Sequence, residues 1–246
     1  MDWFEVLSEN FMVEGGSPLY HLDHLSAHYP VVPHGVSLSL GGDGEPEHLR
    51  RLIALCRRVN APWVSDHLCF VGAGGVQTHD LLPLPRTRAV RDHVVRRIRD
   101  VTDAIGIPFA VENPSTYVAH VDDEMPEWAF LAEIAEAADC AILLDVNNIV
   151  VSGVNHGFEP MDYLAGIPAE RVVQIHLAGH TTLPSGFRID THDHPVPDPV
   201  WALYAAAIRR IGPVSTLVEW DDNIPTWERL AEEAATARRI RAESLS

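Results

Sequence analysis

Lysine is absent from all 246 residues, so the 18 basic side chains are all arginines. That removes Schiff-base catalysis and a Walker-type phosphate loop together. The glycine-rich pieces Gly41-Gly42-Asp43-Gly44 and Gly72-Ala73-Gly74-Gly75 are accordingly read as turns. Cysteine is scarce as well. Cys56, Cys69 and Cys140 are scattered without CxxC spacing, which suits small core residues and excludes a disulfide framework or a thiolate-only metal site. Positive charge is outnumbered by 35 acidic residues, and a net charge of −17 repels nucleic acid. No apolar run is long enough to cross a membrane. The first residues, Met1-Asp2-Trp3-Phe4-Glu5, carry neither a basic nor an apolar signal region, so the expected compartment is the cytosol.

What is present is a regular alternation. Short apolar runs occur at Trp3–Leu7, Val31–Leu40, Trp63–Leu68, Pro108–Val111, Ala141–Val146, Val172–Leu177 and Ser215–Trp220. Their starts lie about 30–45 residues apart, the length of one βα unit. Between them, Glu45–Val59 and Thr87–Ile105 carry apolar stripes at helical spacing, the first through Leu49, Leu52, Ile53, Cys56 and Val59. Pro126 opens a helix through Ala138, and residues 198–211 and 226–241 read as the last two helices. Near-continuous apolar strands alternating with helices predict a parallel sheet covered on both faces. With no dinucleotide fingerprint after the first strand, a (β/α) barrel is the expected α/β architecture. No linker divides residues 1–246, so one domain is expected.

The strands are interrupted by polar residues at their ends. These are His34, Asp66 with His67, Glu112 with Asn113, Asp145 with Asn147 and Asn148, His176 followed by His180, and Glu219 and Asp221 around Trp220. Taken singly, each has a bland reading: a hydrogen-bonded core histidine, or an aspartate capping the next helix. Six strands supplying such groups together are hard to explain as caps. In a parallel barrel all strand C-termini meet at one mouth, and crowded carboxylates stay ionised only when cations sit among them. Imidazole with carboxylate suits iron, manganese or zinc. The segment Ile189-Asp190-Thr191-His192-Asp193-His194 adds further donors. His21, His24 and His28 fit a solvated helix face, and His48, His79, His93 and His120 are expected at the surface. Cys69 is expected in the core.

At these residues the chain resembles a known family. Phe4-Glu5-Val6 with Glu9-Asn10-Phe11-Met12, His34-Gly35-Val36-Ser37-Leu38-Ser39-Leu40, Glu112-Asn113-Pro114-Ser115-Thr116-Tyr117, Leu144-Asp145-Val146-Asn147-Asn148, Asn155-His156-Gly157-Phe158, Ile175-His176-Leu177-Ala178-Gly179-His180, Ile189-Asp190-Thr191-His192 and Val218-Glu219-Trp220-Asp221 are similar to the UPF0276 (DUF692) family. Its members are the multinuclear non-heme iron-dependent oxidative enzymes, MbnB-like proteins of methanobactin biosynthesis among them.

The resemblance implies a TIM-like barrel holding two or three iron ions in mixed Fe2+/Fe3+ valence. It implies O2-dependent modification of a ribosomally made precursor peptide, often at cysteine, with a second protein that recognises the leader. The ligands it implies are His34, His67, Glu112, Asp145, Asn148, His176, Asp190, His192 and Glu219. Asn147 competes with Asn148, and Glu112 is a candidate bridging carboxylate. Glu112, Asp145 and Glu219 are the implied catalytic carboxylates; Asn10, Asn113 and His180 could orient ligands. Family members normally carry an additional strand before Phe-Glu-Val, so the expected barrel lacks the usual first strand. The donor types alone also permit a redox-neutral metal-dependent hydrolase or isomerase on the same barrel, or a non-catalytic member of a peptide-modifying complex.

Overall fold

The computed structural model describes residues 1–73 and 76–246, so the expected turn at Gly74-Gly75 lies outside the described residues. By internal contacts the chain forms two compact units, residues 1–112 with 133–141 and residues 113–132 with 142–246.

In the first unit, strand β1 (Phe4–Leu7) leads through a 3-10 turn to helix α1 (Ser17–Ser26), then β2 (Val31–Gly35), α2 (Pro46–Val59) and β3 (Val64–His67). An antiparallel hairpin of β4 (Cys69–Ala73) and β5 (Val76–Pro83) follows, then α3 (Arg88–Ile105) and β6 (Phe109–Glu112). The strands β1, β2, β3 and β6 pair in parallel in that order. Helix α2 starts at proline, whose missing N–H is no loss in a first turn, and ends at Asn60 in the left-handed region (φ 50°). Thr87 caps α3, its hydroxyl accepting from the Val90 amide at 3.3 Å. Most of each stripe ends up inside: Leu52, Cys56 and Val59 of α2 and Val94, Ile98, Val101 and Ile105 of α3 are buried, whereas Leu49, Ile53 and Val90 are half-buried, and Leu55 and Val95, outside the expected stripes, are buried as well.

Helix α4 (Glu127–Ala138) is followed by further elements of the second unit. They are β7 (Ala141–Asp145), helices α5 (Val146–His156) and α6 (Pro160–Gly166), and β8 (Val172–Leu177). A small antiparallel hairpin of β9 (Thr181–Thr182) and β10 (Arg188–Ile189) precedes α7 (Asp198–Ile211), β11 (Ser215–Val218) and α8 (Trp227–Leu245). Strands β7, β8 and β11 pair in parallel. The core of this unit includes Ile142, Leu143, Leu144, Ile149, Val151, Tyr163 and Tyr204.

The expected strand over 31–40 stops at Gly35. The backbone amides beyond it are captured by side chains: Val36 N–H donates to Glu9 Oε1 and Leu38 N–H to Asp66 Oδ2, both at 3.1 Å. A chain whose amides are held this way has none left for a ladder. Gly35 is required where the strand ends, because a Cβ there would lie 2.2 Å from Asp66 Oδ2.

Candidate metal centres

Register does most of the positioning in the first unit. Residue His67 of β3 pairs with Glu112 of β6, and His34 of β2 with Ser65 of β3. Three side chains at adjoining strand ends therefore meet. His34 Nε2 lies 3.1 Å and His67 Nε2 3.3 Å from the same oxygen, Glu112 Oε2. All three are buried. The far ring nitrogens are held from behind: His34 Nδ1 by Ser65 Oγ at 2.8 Å, His67 Nδ1 by the Gly35 carbonyl at 3.0 Å. A carbonyl only accepts, so His67 carries its proton on Nδ1 and turns the Nε2 lone pair toward a carboxylate oxygen. Two lone pairs at that distance repel unless a proton or metal ion lies between them. Imidazoles held from behind through the other ring nitrogen are the usual form of a metal-ligating histidine.

In the second unit Asp145 pairs with His176 across β7 and β8. Asp145 does cap α5, as its bland reading expects, with Oδ1 accepting from the Asn148 amide at 2.6 Å. Its Oδ2 lies 4.0 Å from His176 Nδ1. The Glu219 amide donates to Leu177 O at 2.9 Å, extending the β11 ladder and bringing Glu219 Oε2 to 3.1 Å from His176 Nδ1. His192 completes the group, with Nδ1 3.4 Å from Glu219 Oε2 and 3.0 Å from Asp221 Oδ2, and Nε2 2.7 Å from Asp190 Oδ1. Burial opposes a charged His192, yet Glu219, Asp190 and Asp221 together outweigh it and hold the ring's pKa well above its ordinary value. Carboxylates that draw a proton this strongly are equally suited to a metal cation.

The loop carrying Asp190 and His192 is tied down by other side chains. Asn147 Nδ2 donates to Asp190 Oδ1 and its Oδ1 bonds His180 Nδ1, both at 2.7 Å. The Asp190 amide donates to Tyr117 Oη at 3.0 Å. His192 itself has φ 46°. Gly179 allows the loop to close, since a Cβ there would lie 2.0 Å from His194 O.

Each expected ligand can now be placed. His34, His67 and Glu112 form one set; Asp145, His176, Asp190, His192 and Glu219 form another. Of the two asparagines, Asn147 spends both amide atoms on Asp190 and His180. Asn148 donates to Asn113 O, and its buried Oδ1 has no hydrogen-bond partner, which leaves Asn148 as the available donor. Asn113 does support the set by exchanging hydrogen bonds with the Asp145 backbone. Asn10, expected to orient ligands, is exposed instead.

His48 was expected at the surface but is mostly buried, 3.5 Å from Glu9. Those two and Asp66 make a third titratable group, and burial pushes the Asp66 pKa up to about 7. His79 lies in β5, and its side chain is outside the described residues. Cys69 is fully buried, and burial first, then Asp66 and Glu112, hold its thiol protonated. Sequence reasoning missed Ser65 and Gln174. Gln174 is fully buried and meets His176 Nε2 at 2.8 Å. Its signal was available: a polar residue two positions before a histidine in an otherwise apolar strand shares that histidine's face.

Two donor sets of imidazole and carboxylate at strand ends define a metal-dependent enzyme class. Comparison with known proteins agrees. The profile of the family described as RiPP precursor modification enzyme MbnB/TglH/ChrH matches residues 1–242, and the chain belongs to this family of enzymes that modify ribosomally made peptides. A UPF0276 protein of Anaeromyxobacter sp. (strain Fw109-5) is 50% identical over 248 residues, covering 100% of this chain and 87% of the relative. One from Caulobacter vibrioides is 50% identical over 240 residues, covering 97% and 85%.

Among solved structures, a D-tagatose 3-epimerase-like protein matches with a TM-score of 0.65 at 14% identity, covering 100% of this chain and 91% of its own. A xylose isomerase-like TIM barrel protein from Mycobacterium smegmatis, in complex with magnesium, matches with a TM-score of 0.62 at 14% identity, covering 96% and 81%. Likeness at such identity speaks for the fold alone. The chain has the TIM-like (β/α) barrel fold, as its strand–helix alternation predicts.

Proposed function

We propose that this peptide-modifying enzyme is a multinuclear non-heme iron oxidase that uses O2 to oxidise a cysteine of its precursor peptide. The single observation that carries the reading is the first donor set, in which two buried imidazoles aim at one carboxylate oxygen within 3.3 Å. That arrangement is stable when a cation occupies its centre. His34, His67 and Glu112 would hold one ion. Asp145, His176, Glu219, His192 and Asp190, with the Asn148 amide oxygen, would hold one or two more. Iron bound there would supply an anchoring point for the substrate thiolate and reduce O2.

The remaining chemistry belongs to the protein. Ser65 and the Gly35 carbonyl fix the two rings of the first set, and Gln174 fixes His176. The carboxylates Glu112, Asp145 and Glu219 hold negative charge against the ions. Burial of the donors excludes bulk water. Loss of the hydrogen on the carbon next to sulfur starts the oxidation. A four-electron oxidation reduces one O2 to two waters with no outside reductant, and a two-electron oxidation leaves hydrogen peroxide. A leader-recognising partner protein would deliver the peptide. Among the described residues no helix is long and apolar enough to cross a membrane.

The test is metal analysis and O2 uptake by the iron-loaded protein with a Cys-bearing precursor, followed by peptide mass. Iron binding, O2 uptake and a mass shift at cysteine are expected. Full turnover with zinc or manganese in the absence of O2 would replace this reading with a redox-neutral hydrolase or isomerase.

A further inference from the structure

Most arginines with a described partner meet an acid. Arg50 and Arg51 share Glu47, Arg58 meets Asp23, Arg91 meets Glu133, and Arg229 meets Glu233. Arg188 is different: the residue is half-buried, Nη1 is buried without a hydrogen-bond acceptor, and no described carboxylate lies within ion-pair distance of it. Arg97 on α3 also has a buried nitrogen without a partner, but Arg188 is the one that borders a donor set. A cation left this way in a chain with 35 acidic residues is not explained by stability, since an unneutralised, partly desolvated charge is costly.

The backbone of Arg188 is nevertheless fixed with care. The Asn155 side chain bonds it twice, Arg188 N–H donating to Oδ1 and Asn155 Nδ2 donating to Arg188 O, both at 2.9 Å. Asp190, two residues on from Arg188 and just past β10, reaches His192 and Asn147, so the hairpin carries Arg188 up to the second donor set. The charge of Arg188 is also felt by His180, whose pKa falls to about 4 through burial first and Arg188 second. Beside it, the Phe187 ring packs on Tyr117 with centroids 5.9 Å apart, giving the position an aromatic flank.

We propose that Arg188 is a substrate-recognition residue that binds a carboxylate of the peptide beside the second donor set. The planar fork of a guanidinium matches a carboxylate in two parallel hydrogen bonds, and the negative partner neutralises what the fold leaves uncompensated. A neutral peptide carbonyl offers one oxygen and no charge, so it does neither. The carboxylate comes from an Asp or Glu side chain near the cysteine or from the peptide's C-terminus. This inference rests on the peptide-modifying reading above, and its test is separable from oxidation.

The probes are four peptides titrated into the zinc-loaded full chain, zinc being redox-silent, with affinity read by ligand-observed NMR. They are Gly-Gly-Cys-Gly-Gly as the free acid and as the C-terminal amide, and Gly-Gly-Cys-Gly-Asp and Gly-Gly-Cys-Gly-Asn, both as amides. At least one carboxylate probe is expected to bind about tenfold tighter than its neutral counterpart, the size of a charge-assisted pair. Whichever of the two it is names the source. Arg188→Gln should erase the preference and Arg188→Lys keep part of it, with zinc content and thermal unfolding unchanged in the lysine variant. Equal binding of acid and neutral probes, binding of none, or a preference that survives in Arg188→Gln would each overturn the assignment. O2 uptake by the iron-loaded wild type, measured alongside, reports on the oxidase reading by itself.

Discussion

The two donor sets are built by different means. In the first unit every donor stands at or next to the end of a strand, and the parallel register sets His67 level with Glu112 and His34 level with Ser65, two residues before His67. In the second unit only Asp145 and His176 are placed by register. Glu219 lies just past β11, and Asp190 and His192 sit on a loop. Strand-borne donors need little beyond the ladder. Loop-borne donors need clamps, and the second set has them in Asn147, Tyr117, Asp221 and Asn155. The chemistry differs too. The first set pairs two imidazoles with one carboxylate, whereas the second surrounds His176 and His192 with Asp145, Asp190, Glu219 and Asp221. An imidazole-rich set placed by strands and an acidic one held by clamps are suited to unequal duties.

The comparison is broken most directly by removing one donor from each side. His34→Ala should empty the first set and spare the second; His192→Ala should do the reverse. Each change removes a donor itself, so turnover should fall by more than the roughly 10- to 100-fold typical of losing a ligand's outer support. Metal counted per chain and peptide turnover check both. If either variant loses all its metal, the two sets do not bind independently and the contrast fails.

Next in size is the response of the metal-free protein to pH. Asp66 has its folded pKa raised to about 7, chiefly by burial, from 3.8, so it favours folding while protonated. That contribution is full below about pH 4 and is lost as pH climbs to 7. A shift of this size corresponds to on the order of 4 kcal/mol. His192 is raised as well, so its contribution is present below the unfolded histidine value and lost as pH rises through its folded one. Both act in the same direction. The metal-free chain is expected to need less urea to unfold at pH 8 than at pH 5, and Asp66→Asn should flatten the part between pH 4 and 7. A urea midpoint that rises with pH over that range would contradict both assignments.

Much of the first set was legible in the sequence because its donors interrupt apolar strands, where a polar residue has no bland partner in view. Strand boundaries were legible within a few residues except at 36–40, where Glu9 and Asp66, distant in sequence, capture the amides. The choice between Asn147 and Asn148 was not legible. It depends on which amide the helix start turns toward Asp190. Nor was the β9–β10 hairpin, whose two-residue strands carry no periodicity and are held by an asparagine on α5. His48 misled because its neighbours on α2 are charged, although its ring turns in toward Glu9.

A smaller effect separates the two sets through their supports. Ser65→Ala removes the bond behind His34, and Gln174→Ala the bond behind His176. Each should weaken metal binding at its own set by roughly 10- to 100-fold and leave the other unchanged. Competitive titration with a chelator reads this. Equal weakening at both sets would mean that the supports act on general stability and not on the ligand behind which they stand.

The smallest effect tests whether clamping is what the loop-borne set requires. Asn155→Ala deletes two hydrogen bonds to the Arg188 backbone, each contributing about 1 kcal/mol. The hairpin keeps its own short ladder and the Leu183–Phe187 and Gly186–Leu183 bonds, so it should open locally without global unfolding. Metal affinity at the second set should drop by about 5- to 30-fold, the equivalent of 1–2 kcal/mol, while the first set keeps its value. Asn155→Asp retains the acceptor for the Arg188 amide and loses the donor, so it should fall between wild type and alanine. Faster hydrogen exchange at the Arg188 amide in Asn155→Ala, with the unfolding transition unmoved, would show that the loss is one of local order. An unchanged second-set affinity would show instead that Asn147, Tyr117 and Asp221 suffice to hold the loop, and that Asn155 serves only the placement of Arg188.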